Sequence, residues 1–383
     1  MNRDSASSVD QTRAMTANAL VWDVVAPARD AVGLEERMLL HAGPPFIDAT
    51  VPSNPVLSSA VICALYEGWA EDEVEAERMI RAGEIRLEPS LGYRVSVPLA
   101  GVVSPSTALV GVTDPATGKR FWSLLHSGPG AEVRFGSRNP DLFERMEYRD
   151  CRLAAAFQAI LSERPISLLP IAAQALDAGD DLHCETTVAT RLLATRIASP
   201  EQEIALYLDA TPLFFLTLWM ACALHLADRL RFVASDPDVV LAIAGNGERV
   251  GVRCVAEPDT WVCGPGMPPA GELADPEVNV AKALGDSGVI DALGFGGQIW
   301  QHSHIGQVLP GWIAARLAQV EEYSTASFGL GRRIHTGFRL QPMMAEAAVM
   351  NVSLAMVDGR GETGLLGRGL LSLQMGQLQR PLS

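Results

Sequence analysis

From Asp141 to about Asp228 nearly every segment carries helical periodicity, broken at Arg164-Pro165, Gly179 and Ser199-Pro200, while β-like and glycine-rich sequence dominates on both sides. No other feature constrains the fold as strongly. It predicts an α+β chain in which mixed sheet regions flank a central helical subdomain. At 383 residues the chain is longer than one core usually grows, so two or three subdomains are expected. The composition shifts predict a disordered arm at 1–16, an N-terminal α+β domain at 17–138, the helical subdomain at 139–235 and a C-terminal α+β domain at 236–383.

Within the first domain, Leu20 to Val25 and Met38 to His41 read as strands, the second ending in the rigid turn Ala42-Gly43-Pro44-Pro45. A glycine-free apolar segment predicts a buried helix over Val56 to Trp69. The run Glu71 to Ala82 predicts an amphipathic helix with Val74, Met79 and Ile80 facing inward and five acids in its first two turns, where they complement the helix dipole. Asp114-Pro115-Ala116-Thr117-Gly118 predicts a hairpin turn between strands over Ala108 to Val112 and Arg120 to Leu125, and Ala131 to Phe135 reads as a further strand. In the helical part, Ser199-Pro200-Glu201-Gln202 supplies an N-cap and a first-turn proline, and Leu213 to Ala227 predicts a buried helix too short to span a bilayer. Later strands are expected over Val239 to Ala244, Val250 to Val255, Asp259 to Val262 and from Ile290 onward. Trp312 to Tyr323 reads as an amphipathic helix, and Met343 to Met356 as a helix running into a strand.

Composition narrows the function. A formal charge of −15 with no Lys/Arg cluster argues against a nucleic-acid partner, which would need basic patches. Six dispersed cysteines without a CxxC pair, and an N-terminus without the basic-then-apolar order of a secretory signal, predict reduced thiols and a cytoplasmic protein with no membrane attachment. Gly285-Asp286-Ser287-Gly288 matches the nucleophile tetrapeptide of trypsin-like proteases, but no matching upstream histidine context accompanies it. Neither Gly294 to Ile299 nor Gly329-Leu330-Gly331 completes a dinucleotide fingerprint, and Gly111 to Lys119 misspaces a P-loop. No cofactor is expected.

The densest polar stretch is Gly179-Asp180-Asp181-Leu182-His183-Cys184-Glu185-Thr186-Thr187, set between two apolar, helix-like segments. Asp180, Asp181 and His183 suit metal ligands, a general acid/base pair or a polar helix cap. One histidine without a second at ligand spacing argues against zinc, so no metal is expected. Capping favours Asp180, whereas His183 is the better functional candidate because both its protonation states are accessible near neutral pH. Cys184 reads as a buried inert thiol, His302 and His304 as surface residues, and His225 as a core histidine. Several short glycine loops surround polar side chains: His41 to Pro45, Gly101 to Ser106, Ser127 to Gly130 followed by Arg134, Gly245-Asn246-Gly247, Gly285 to Gly288 and Gly359 to Gly364. Each alone is by default an ordinary tight turn. Together they predict some convergence on a small anionic substrate, with Arg134 as a bidentate grip.

Taken in order, Leu40 to Pro45, Ala64 to Ala70, Ala100 to Ser106, Arg134-Phe135-Gly136, Gly179 to His183, Phe214-Phe215-Leu216, Asn246-Gly247, Gly285-Asp286-Ser287 and Gly364 to Gly369 resemble the bacterial YlbE-like proteins, which include the AllG-type subunit of oxamate carbamoyltransferase. The resemblance implies an α+β architecture with a helical subdomain. It also implies reversible carbamoyl transfer between oxalurate and phosphate, giving oxamate and carbamoyl phosphate, in a complex with partner subunits. Two departures accompany it: the additional N-terminal α/β region of the family is expected to be missing, and Cys184, Glu185 and Thr186 stand where Asn-Arg-Asn usually follows the histidine, with Gly245 where an arginine precedes Asn246. The loss of two basic groups implies an altered anionic substrate or a different reaction.

These strands combine into one expectation: a carbamoyltransferase-like enzyme, with a homo-oligomer and partner subunits, acting on a small carboxylate or amide. His183, Asp180 and Asp181 form its catalytic set, and His41, Ser104, Ser106, Arg134, Asn246, Asp286 and Ser287 its substrate-binding set. In this arrangement Arg134 and the glycine loops hold the anion, Asn246 with Ser104 or Ser106 polarises the carbonyl, and His183 with Asp180 moves the proton. A non-catalytic subunit that kept the fold is the competing class, and an amidohydrolase-like enzyme the third.

Overall fold

The computed structural model describes residues 15, 19–197, 202–275, 277–304 and 320–380. The predicted arm, except Met15, the helix start at Ser199-Pro200-Glu201 and most of the predicted helix Trp312 to Tyr323 lie outside the described residues. The fold is α+β.

A five-stranded sheet runs in the order Val95–Ser96, Arg120–Leu124, Ala108–Thr113, Val21–Pro27, Ile166–Ser167. Its hairpin pairs Leu109 with Leu124 and Thr113 with Arg120 around the Asp114-to-Gly118 turn, as the turn residues predict. Val21–Pro27 lies antiparallel against Ala108–Thr113, with Pro27 opposite Ala108. A second, antiparallel sheet is ordered Val262–Pro265, Arg249–Cys254, Val240–Asn246, Leu284–Gly285. A third, of three strands, places Met38–His41 between Arg86–Pro89 and Val102–Val103.

The helix Phe214–Val233 is the hub. It has no glycine or proline in 20 residues and is apolar on every side from Phe214 to Ala227, so only burial on every side satisfies that stretch. It contacts both the five-stranded sheet and the Val240–Asn246 strand. Trp22, Phe157, Tyr207 and Phe214 pack ring on ring at its start, and Trp219 meets Phe295 edge to face at 5.2 Å. His225, in its middle, donates from Nε2 to the Val112 carbonyl at 2.7 Å and tethers the helix to the sheet, as a core histidine should. Among the described residues no single helix is long and apolar enough to cross a membrane.

Apolar clusters ignore the composition boundaries. One joins Trp22, Phe157, Leu176 and Trp219 to Val289 and Ile334; another joins Val61 to Ile243 and Met350. All three sequence segments therefore close around common cores.

Local expectations fail where tertiary contacts override them. In the helix Glu73–Arg81 the inward face is Ala76, Met79 and Ile80, at the helical spacing, while Val74 falls off that face and is 80% exposed. Ala131 to Phe135 is not a strand: Val133–Phe135 forms a 3₁₀ turn closed by Gly136 at φ +66°. Ile290 sits in the short helix Gly288–Ala292, and the strand expected over Asp259 to Val262 begins only at Val262.

Candidate active site

Between the helices Leu169–Asp177 and Thr187–Arg196 the chain turns sharply through Leu182, a non-glycine residue at φ +64°. Such a backbone is costly unless its surroundings fix it. Here Asp181 fixes it: its Oδ1 accepts from the backbone N–H groups of His183 (2.7 Å), Cys184 (2.7 Å) and Glu185 (3.3 Å). Asp180 caps the following helix, with Oδ2 accepting from Ala189 N at 2.8 Å and Oδ1 from Val188 N at 3.2 Å. Burial pushes both carboxyls up to about 6, against the pull of these backbone donors. The turn aims His183 at a second buried acid.

That acid is Asp291, carried by Gly288–Ala292. Its Oδ2 lies 2.6 Å from His183 Nδ1, and its Oδ1 accepts from Gly297 N (2.8 Å) and Ser353 N (3.0 Å). A carboxylate against Nδ1 fixes the proton there and leaves Nε2 as the free acceptor. His183 Nε2 has no partner among the described residues. Gly296 is required beside the pair: it sits at φ +56°, and a Cβ there would lie 2.6 Å from Asp291 Oδ1 and 2.8 Å from His183 Cβ.

His183 borders a cavity of about 220 Å³. All three sequence segments contribute to its lining: Pro98, Leu99, Arg134 and Phe135 from the first, His183, Cys184, Leu213 and Leu216 from the second, and Ser287, Ser353 to Ala355, Leu365 and Gly367 to Gly369 from the third. Arg134 is tied by Nη2 and Nε to Glu132 Oε1 at 2.7 and 3.1 Å, and its Nη2 lies 2.8 Å from His126 Nε2. Burial would raise the Glu132 carboxyl, but the Arg134 guanidinium holds it below the usual range, so the pair stays ionised. Arg134 Nη1 makes no hydrogen bond among the described residues.

At the mouth stands Arg368, exposed, with no hydrogen bond or ion pair among the described residues. The buried Ser353 Oγ also lacks a partner. Burial pushes the Cys184 thiol far above its ordinary range, so it lines the cavity as a neutral, weakly polar group.

Of the ten residues selected from sequence, Arg134, His183 and Ser287 thus meet at one cavity, with Asp180 and Asp181 behind the His183 wall. The other five lie outside the lining. His41 contacts its neighbour's carbonyl, Ala42 O, through Nδ1 at 2.8 Å and packs on Phe46, and burial lowers it to about 4. Ser104 bonds to Thr107, and Ser106 donates twice to Glu67. Asn246 donates to Pro44 O and accepts from Glu248 N and Arg249 N. Asp286 accepts from Gly43 N (2.8 Å), Ser90 Oγ (2.6 Å) and Val97 N (2.9 Å), so it pins three loops and holds Pro98 and Leu99 against the cavity. Its neighbour Gly285, at φ +108°, would place a Cβ 2.5 Å from Leu99 N. Asp180, Glu185 and His304 offer ligand atoms within 4.8 Å of one another, but Asp180 is already engaged as a cap.

Asp291, Ser353 and Arg368 were not anticipated. Asp291 did leave a signal, a lone acid inside the apolar run Val289 to Ala292.

Residues 85–288, more than half of the chain, match the family model described as oxamate carbamoyltransferase subunit AllG. The chain belongs to this family. It is 28% identical over 299 residues to the oxamate carbamoyltransferase subunit AllG of Escherichia coli K12, an overlap of 72% of this chain and 69% of that protein. It is 26% identical over 280 residues to the uncharacterized protein YahG of the same organism, covering 69% of this chain and 58% of YahG. The crystal structure of a conserved protein of unknown function from Enterococcus faecalis V583 shares the fold, with a TM-score of 0.85 at 20% identity over 97% of this chain and 94% of that one. Arg134, His183 and Ser287 fall within the matched span, whereas Asp291, Ser353 and Arg368 lie beyond its end at residue 288.

Proposed function

We propose that this AllG-family chain is a carbamoyltransferase-type subunit whose cavity binds a small carboxylate-bearing amide or ureide and moves its proton through His183. The observation that carries the reading is the His183–Asp291 pair, 2.6 Å apart, with the free Nε2 edge at a cavity that also holds Arg134 and Arg368.

In the synthetic direction the acceptor's nitrogen attacks the carbamoyl carbon of carbamoyl phosphate. An N–C bond forms, the carbon–oxygen bond to phosphate breaks, and the nitrogen's proton passes to His183 Nε2 and then to the departing phosphate. Asp291 steadies the imidazolium formed in between. Ser353 Oγ and Ser287 donate to the oxygen that gains charge at the carbamoyl centre. Arg368 takes the acceptor's carboxylate. Arg134, already offset by Glu132, gives the donor phosphate a weaker hold. Asp181 shapes the turn that aims His183, Asp180 caps the helix behind it, and Asp286, His41, Asn246, Ser104 and Ser106 support the walls.

The test is phosphate release from carbamoyl phosphate with candidate acceptors, by the protein alone and with the partner subunits that the word subunit in its relative's name suggests. His183→Ala should abolish turnover in a folded protein. Absence of turnover in both settings would favour a non-catalytic binding subunit.

A further inference from the structure

We infer that the cavity is built for a monocarboxylate bearing an apolar substituent of several carbons, larger and less polar than oxamate. This rests on reading the cavity as the substrate site, as proposed above.

Size is the first argument. A cavity of about 150 Å³ lined by Leu, Ile and Phe accepts benzene. Oxamate has the same number of non-hydrogen atoms as benzene and hexanoate two more, so about 220 Å³ takes a carboxylate of hexanoate's size when no donor phosphate is bound.

Lining chemistry is the second. Leu99, Phe135, Leu213, Leu216, Leu354 and Leu365 all face the space. Oxamate carries no carbon-bound hydrogen, and stripping water from its polar edges against leucine would be unfavourable without matching donors. An alkyl or aryl substituent gains from the same surface.

Charge is the third. Arg134 is offset by Glu132, and His183 rests on Asp291. Arg368 is left as the lining cation without an anionic partner among the described residues. One unpaired guanidinium suits one carboxylate.

The experiment is isothermal titration of the full chain with propionate, butyrate, valerate and hexanoate, and with oxamate and inorganic phosphate. Affinity should rise about fourfold per added methylene. Arg368→Gln should weaken hexanoate about tenfold or more. Leu365→Ser, at a position 47% exposed, should lower the gain in affinity per methylene. Oxamate binding more tightly than hexanoate, no dependence on chain length, or no binding of any carboxylate would each overturn the inference. Graded carboxylate binding without phosphate release in the turnover assay would leave the inference standing and remove the carbamoyl-transfer reading. Turnover with oxamate and no graded binding would do the reverse.

Discussion

Asp286 and Asp291 lie five residues apart around one short helix, both fully buried, yet they do different work. Asp286 spends its oxygens on two backbone N–H groups and a serine hydroxyl, three neutral donors from three loops. Asp291 spends one oxygen the same way, on Gly297 and Ser353, and turns the other to His183 at the cavity. The first is a closed clamp. The second is a clamp whose last partner can take and release a proton. A buried acid alone says little about function; a buried acid bonded to a histidine that lines a cavity says more.

Removing the closed clamp should have the largest effect. Asp286→Ala leaves three donors unmet and should cost roughly 3–6 kcal/mol in urea denaturation, enough to unfold a marginal protein. A loss below about 1 kcal/mol would show that those loops do not depend on Asp286.

Changing the open clamp should spare stability and strike turnover. In Asp291→Asn the amide oxygen can still accept from Gly297 and Ser353, while its NH₂ faces His183 Nδ1 and forces the proton onto Nε2. Stability should stay within about 1 kcal/mol, and kcat/KM for carbamoyl transfer should fall about 100-fold or more. Equal damage to folding from both substitutions would erase the distinction between the two aspartates.

The smallest effect concerns pH. Burial raises Asp180, Asp181 and Asp286 to about 6, so between roughly pH 4 and 6 the folded state binds more protons at these groups than the unfolded chain, and their share of stability falls as pH rises. Burial lowers His41, His126 and His225 to about 4, so the folded state binds fewer protons there, and their share rises with pH over about 4 to 6.5. The two sets oppose each other, so their contributions partly cancel across this window. His225→Gln removes one histidine and should tilt the profile downward with rising pH by up to about 1.4 kcal/mol per unit relative to the native protein. An upward tilt would contradict the assignment.

What the sequence made legible follows from range. The hairpin at Asp114 to Gly118 and the apolar helix after Leu213 are local patterns, and they form. Val74 and the run Ala131 to Phe135 carry the right residue types, but packing decides which face turns inward and where the chain bends. Within the site, His183 stood out because a dense polar cluster between apolar segments is costly without a purpose. Its partner lies 108 residues away, and no spacing rule reaches that far. His41 and Asn246 looked functional because they sit beside glycine turns, but those turns consume their polar atoms. Arg368 was hidden for the opposite reason: a lone arginine in a glycine loop resembles any solvated surface charge until the fold sets it at a cavity mouth.

The central claim is that His183 holds its proton on Nδ1 against Asp291 and presents a bare Nε2 to whatever enters the cavity. NMR of protein carrying nitrogen-15 histidine, titrated with hexanoate near neutral pH, tests it directly, with His183→Asn to assign the signals. The account predicts a retained, strongly downfield Nδ1 proton and an Nε2 resonance that moves as hexanoate binds. A proton on Nε2 in the free protein, or His183 nitrogens that stay still while hexanoate binds, would contradict it.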